Sequence, residues 1–272
     1  VDLQADVAAR FPVMCVDELA HLLGLAQRAV DEALAAKTRV HAHHANQIYI
    51  IQNIFKNFNR RMRIDCHSCF QWLMPALDAF RQQWPDVTLD LSAAFSFAPL
   101  PALLRGDLDV VITSDPQDNP AVHYEPLFRY ELVLAVSNQH PLSQYRYVEP
   151  FQLTDQVLIT YPVERNRLDI FTQFLTPADV EPAAIRQAEL TPMIVQLVAS
   201  QRGVTALPNW ALTEFLNPAS IRTCRLGEHG IWRTLYATVR SEDLQADYVQ
   251  AFLAQARETC FKSLQGIVAA QP

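Results

Sequence analysis

Apolar positions along the chain follow two regimes. Up to about residue 60 they recur at helical spacing; beyond it, short apolar runs alternate with amphipathic segments. Val16 to Ala35 is rich in Ala and Leu, and His41 to Phe58 sets Ile48, Ile51, Phe55 and Phe58 at spacings of three and four, so both stretches predict helix. Strands are expected over 62–65, 87–91, 108–112, 132–136, 157–161, 185–189, 204–207 and 232–239. Between them, Phe70, Leu73, Leu77, Phe80 and Trp84 mark an amphipathic helix, in which Pro75 is tolerable only in the first turn or at a kink. Shorter helices are expected over 101–105, stopped by Gly106, and over 169–175. A further helix over 191–201 takes Thr191 as N-cap, Pro192 at its first position and Gly203 just past its end. Asn209 is read as the cap of the next one, and a terminal helix closes the chain. Strands that alternate with helices predict α/β architecture with parallel sheets.

Composition narrows the picture. With 272 residues and 50% hydrophobic content the chain can bury one large core or two to three smaller ones. No apolar run approaches the roughly 18–20 residues of a membrane helix. The opening Val-Asp-Leu-Gln-Ala-Asp lacks the layout of a signal peptide, and the five cysteines are an odd number in a long chain. Both features suggest a cytoplasmic protein with reduced thiols. A net charge of −7 excludes a protein that coats nucleic acid by charge alone. Residues 1–60 are net neutral, with six basic and six acidic side chains, so one small DNA-contacting module stays compatible with the total.

Four segments then become specific: Arg63-Ile-Asp-Cys-His-Ser-Cys-Phe-Gln-Trp-Leu-Met-Pro-Ala-Leu77, Gly106-Asp-Leu-Asp-Val-Val-Ile-Thr-Ser-Asp115, Tyr161-Pro-Val-Glu-Arg-Asn-Arg-Leu-Asp169 and Gly203-Val-Thr-Ala-Leu-Pro-Asn-Trp210. Together they resemble the effector-binding domain of LysR-type transcriptional regulators. Cys66-His-Ser-Cys69 and Tyr161-Pro-Val point to the branch that governs methionine biosynthesis with homocysteine as coinducer. The resemblance implies a two-subdomain, periplasmic-binding-protein-like α/β effector domain over 61–272, preceded by an all-α helix-turn-helix-like region (1–43) and a linker helix (44–60). The first subdomain would comprise about 61–137 plus 237–272, and the second about 138–236. It further implies promoter DNA carrying an inverted repeat as partner, self-association as a dimer or tetramer, no cofactor, no metal and no enzymatic activity.

The amino-terminal region departs from the family pattern. A linker-like helix begins at His44 after only about 43 residues, and no basic wing precedes it. Leu19, Ala20, Leu23, Gly24, Leu25 and Val30 still fit a bare helix-turn-helix, with Gln27 and Arg28 opening the recognition helix toward DNA.

Cys66-His-Ser-Cys69 admits several chemistries. No second Cys-x-x-Cys or His-x-x-x-His completes a four-ligand zinc site, while a redox pair would need a lowered thiol pKa at a helix start. The turn after the first strand also lies at the carboxyl edge of the sheet, where α/β folds bind ligands. There Cys66, His67 and Ser68 can contact an effector, Ser68 through a helix N-terminus and a ligand carboxylate. Thr113 and Ser114 follow another buried strand to the same edge, Tyr161 and Pro162 end one in the second half, Thr191 offers a second anion site, and Phe97 and Leu207 offer apolar contact. Arg165 and Arg167 read as solvated surface charges, and Asp107 and Asp109 as turn and edge residues. No Gly-x-Ser-x-Gly, phosphate-cradling loop or His-Glu-x-x-His occurs. Two rivals stand beside the regulator: a small-molecule binding protein without DNA binding, and a cytosolic Cys-x-x-Cys thiol enzyme.

Overall fold

The computed structural model describes residues 60–65, 70–95, 98–215 and 220–270. The helices expected before residue 60, including the expected linker helix, and Gln27 and Arg28, expected to contact DNA, lie outside these residues, as do Cys66, His67, Ser68 and Phe97.

Strand β1 (Arg60–Asp65) places Met62 and Ile64, both fully buried, on its core face. Helix α1 (Phe70–Gln83) turns Trp72, Leu73, Ala76, Leu77 and Phe80 onto that core, none of them more than 1% exposed. Pro75 sits inside α1 beside exposed Met74, on the solvent side, where the carbonyl left without a backbone donor can be hydrated. After β2 (Val87–Ser92) comes α2 (Pro99–Arg105), which Gly106 ends in the left-handed conformation at φ 79°. Strand β3 (Val110–Thr113) starts two residues later than the apolar run suggests, because Leu108 belongs to the turn.

Strand β4 (Val122–Ser137) runs for 16 residues, three times the expected length. It pairs with β10 (Ile231–Arg240) antiparallel over Val122–Leu132, and its second half pairs with β8 (Thr205–Pro208) and β9 (Ile221–Leu226). The two long strands are therefore common to two lobes. In the first lobe the strand order is β2-β1-β3-β10-β4, closed by α1 and by α5 (Asp247–Ser263). In the second, β9 is joined by β5 (Tyr147–Val148), while β6 (Val157–Thr160) and β7 (Ala184–Gln187) form a parallel pair linked to β8 by a bridge between Leu158 and Val204. The sheets are mixed rather than parallel. Strands β1, β2 and β3 run parallel, but every pairing of β4 and β10 is antiparallel, because these strands return from one lobe to the other without a crossover helix.

Residues 132–136 form a continuous apolar run because β4 is covered on both faces there. Leu132, Leu134 and Val136 pack with Phe171, Leu175 and Leu226, while Val133 and Ala135 pack with Ile159, Ile194 and Leu207. The latter face is closed by α3 (Thr191–Ala199). Three local expectations need correction. Leu190, not Thr191, occupies the N-cap of α3 and makes no side-chain cap; Thr191 begins the helix and is 3% exposed. The segment 169–175 is a π turn over Ile170–Leu175, which lets Ile170, Phe171, Phe174 and Leu175 all reach the core. Helix α4 (Asn209–Leu212) takes Pro208 as its N-cap, although the Asn209 side chain still accepts from the Trp210 amide at 2.9 Å.

Candidate functional site

The carboxyl ends of β3, β6 and β8 meet at a cleft of about 220 Å³ beneath the two long strands. Thr113, Ser114 and Asp115 reach it from the end of β3, Tyr130 and Leu132 from the middle of β4, and Tyr161 from just past β6. Ala206 and Leu207 of β8, Trp210 of α4 and Leu235 of β10 supply apolar walls, and the turn Arg167–Ile170 closes the rim. Edges of sheets where strands end are where open α/β folds place ligands, since loops there are free to carry polar groups.

The floor is aromatic. Tyr130 and Trp210 meet edge to face at 6.3 Å, each also packing on Phe128 at 6.4 and 6.1 Å. Burial pushes the Tyr130 phenol up to about 12, so it stays neutral; Ser114 hydrogen-bonds to it. Thr113 Oγ1 accepts from the Asp115 amide at 3.1 Å, and Ser114 offers its carbonyl to Arg233 Nη2 at 3.2 Å. Tyr161 and Thr191 join hydroxyls at 2.7 Å. Charge enters at the rim, where Arg167 Nε lies 3.1 Å from Asp115 Oδ2 and Arg233 Nε lies 3.1 Å from Asp169 Oδ1. Burial raises the Asp169 carboxyl above the usual range, ahead of the opposing pull of Arg233, and Asp115 adds to the rise.

Of the effector residues expected from sequence, Thr113, Ser114, Tyr161 and Leu207 line this one cavity. Pro162 and Thr191 are not among the residues that line it, and Thr191 joins it through its contact with Tyr161. Arg165 pairs with Glu181 at 2.8 Å on the surface, as a solvated charge would. Arg167 is exposed as well, but it is more than a surface charge, since it lines the cleft and pairs with Asp115. Asp109 is likewise more than an edge residue, since Arg240 Nη2 and Arg63 Nε converge on it at 2.9 and 3.3 Å. Asp115, Tyr130, Asp169, Trp210 and Arg233 were not singled out from sequence. Asp115 and Asp169 stand at the ends of the specific segments 106–115 and 161–169, whereas aromatics within strands read as plain core. Among the described residues no group of three or more His, Cys, Asp or Glu could hold a metal ion, and no helix is long and apolar enough to cross a membrane.

Comparisons with known proteins agree with this architecture. The LysR substrate binding domain family matches residues 57–261. The transcriptional regulator MetR of Escherichia coli K12 is 41% identical over 197 residues, 72% of this chain and 62% of MetR, so the match spans less than two thirds of that relative. The regulatory domain of MetR from N. meningitidis superposes with a TM-score of 0.69 at 35% identity, covering 78% of this chain and 98% of that domain. The effector-binding domain of BenM, solved with its effector benzoate, shares the fold at 20% identity, with a TM-score of 0.61 over 75% of this chain and 93% of that one. The two MetR proteins are named as regulators rather than as enzymes. The chain thus belongs to the LysR family, carries its substrate-binding domain, and is similar to the MetR regulators within it.

Proposed function

We propose that the chain is a LysR-type regulator of methionine and sulfur amino-acid genes whose coinducer, homocysteine, binds in the cleft between the lobes. The carrying observation is the convergence of Thr113, Ser114, Tyr161 and Leu207, from both lobes, on one cavity. A ligand held there shifts the relative orientation of the lobes by as much as its affinity differs between orientations. Residues 1–43 contact an inverted repeat in promoter DNA, residues 44–60 link and dimerise the chain, and the oligomer transmits the shift to the spacing of its DNA-binding modules. The protein works in the cytoplasm.

A second reading, a small-molecule binding protein without DNA binding, draws on the neutral charge of residues 1–60 and on the missing basic segment after the helix-turn-helix-like stretch. Fluorescence anisotropy of labelled inverted-repeat DNA, with and without homocysteine across a salt series, separates the two. Affinity that falls steeply with salt and responds to homocysteine supports the regulator; absence of binding at low salt favours the second reading.

A further inference from the structure

Beside the apolar cleft lies a second compartment of about 220 Å³ with polar walls. Ser114, Asp115, Arg167 and Asp169 line both compartments, and Arg233 lines the second. Two carboxylates face two guanidiniums across this boundary, each pair at 3.1 Å. The inner pair is incompletely matched. Arg233 Nε is buried and out of hydrogen-bonding line with Asp169, despite its ion-pair distance. Asp169 is 18% exposed, and burial outweighs the attraction of its guanidinium partner. A carboxylate can accept about four hydrogen bonds, so Asp169 has capacity for a further cationic donor.

The charge balance restricts what that donor can belong to. Two acids and two bases are neutral together; a ligand with a single charge upsets that balance beside Asp169, the best shielded member at 18% exposure, while Arg167 and Asp115 stay in contact with solvent. A zwitterion adds one charge of each sign and preserves the balance. Its apolar side chain has Leu132, Ala206, Leu207 and Leu235 to pack against in the adjoining compartment.

We infer that Asp169 receives the ammonium group of an α-amino acid, with the ligand carboxylate turned to Arg167, and that this pair makes the cleft selective for amino acids over simple acids or amines. The inference rests on the proposed effector role of the cleft and adds the residues that recognise the head group.

Isothermal titration of the full chain under reducing conditions tests it with three probes: L-homocysteine, 4-mercaptobutanoate (no amine) and 3-mercaptopropylamine (no carboxylate). The native protein is expected to prefer homocysteine to each of the others by about tenfold or more. Asp169→Asn is expected to weaken homocysteine by about tenfold without weakening the anionic 4-mercaptobutanoate. Equal binding of homocysteine and 4-mercaptobutanoate by the native protein would overturn the inference without any variant. So would an Asp169→Asn protein that binds homocysteine undiminished, or one that keeps the native melting temperature and loses both ligands alike. Binding of none of the three probes by the native protein would remove the effector reading itself, a distinct outcome.

Discussion

The phenol of Tyr161 and the hydroxyl of Thr191 lie 2.7 Å apart, joining the residue after β6 to the first turn of α3. Thr191 is almost fully buried, and its hydroxyl holds the Tyr161 ring at the wall of the cleft. Thr191→Val, which keeps the shape and deletes the hydroxyl, is expected to cost about 1 kcal/mol of stability. Tyr161→Phe added to it should cost less than the sum of the two single changes, because both remove the same contact. Urea denaturation of the four proteins in this double-mutant cycle checks the coupling.

Gly203 permits the close approach that ties β6 to β8. At φ 154° its backbone runs against β6, and an added Cβ would stand 2.4 Å from the Val157 carbonyl oxygen. That carbonyl accepts from the Val204 amide at 2.9 Å, so the clash and the sheet contact share one atom. Gly203→Ala is expected to destabilise by about 2 kcal/mol or more, seen as a lower midpoint in chemical denaturation. An unchanged midpoint would show that the two strands can part at no cost.

Asp65 ends β1 with one carboxylate oxygen buried and unpartnered. Burial lifts its pKa from 3.8 to about 6, against a smaller opposing hydrogen bond from the Phe95 backbone. The folded state therefore holds this proton more tightly than the unfolded chain. The contribution to stability is fully present below the unfolded value near 3.8 and is lost as pH rises through about 6. Asp65→Asn, which cannot ionise, should be more stable than the parent above pH 6, by on the order of 1–3 kcal/mol, with the advantage shrinking toward pH 4. Unfolding free energies of the two proteins across that range, compared at each pH, give the difference directly.

Cys224 and Cys260 are both buried, and burial raises both thiols, leaving little thiolate near neutrality. Cys224 also donates to the Leu142 carbonyl at 3.1 Å. Neither should react with a thiol reagent at pH 8 in the native protein, and both should react on unfolding. Peptide mass spectrometry after timed labelling reads each site separately; rapid native labelling of either would contradict its packing.

Much of the fold was legible because its signals are local. The core face of α1, the stop at Gly106 and the apolar runs of β1, β2 and β6 arise from spacing alone. The length of β4 was not legible, because Tyr124, Glu125, Pro126, Arg129 and Glu131 break the apolar pattern where the strand has a less protected face. Sheet direction was equally hidden, since it depends on β4 and β10 passing between lobes, a relation between residues more than 90 positions apart. In the cleft, Thr113, Ser114 and Tyr161 were legible because each sits at or just past the carboxyl end of a buried strand. Arg167 and Asp169 were not, because a loop charge shows its place at a cleft only through a partner that arrives from elsewhere; Asp115 and Arg233 are those partners. Trp210 and Tyr130 are core by composition and cleft by position.

We propose this cleft as the homocysteine site, and filling it tests that assignment. Ala206 lines it from β8, and Ala206→Phe would fill it without touching the charged rim. Titration calorimetry of homocysteine into the native chain and into this variant, with melting temperatures matched, is the most direct test. Heat of binding in the native protein that vanishes in the variant is the expected result. Undiminished binding by Ala206→Phe, or none by the native chain, would contradict the account.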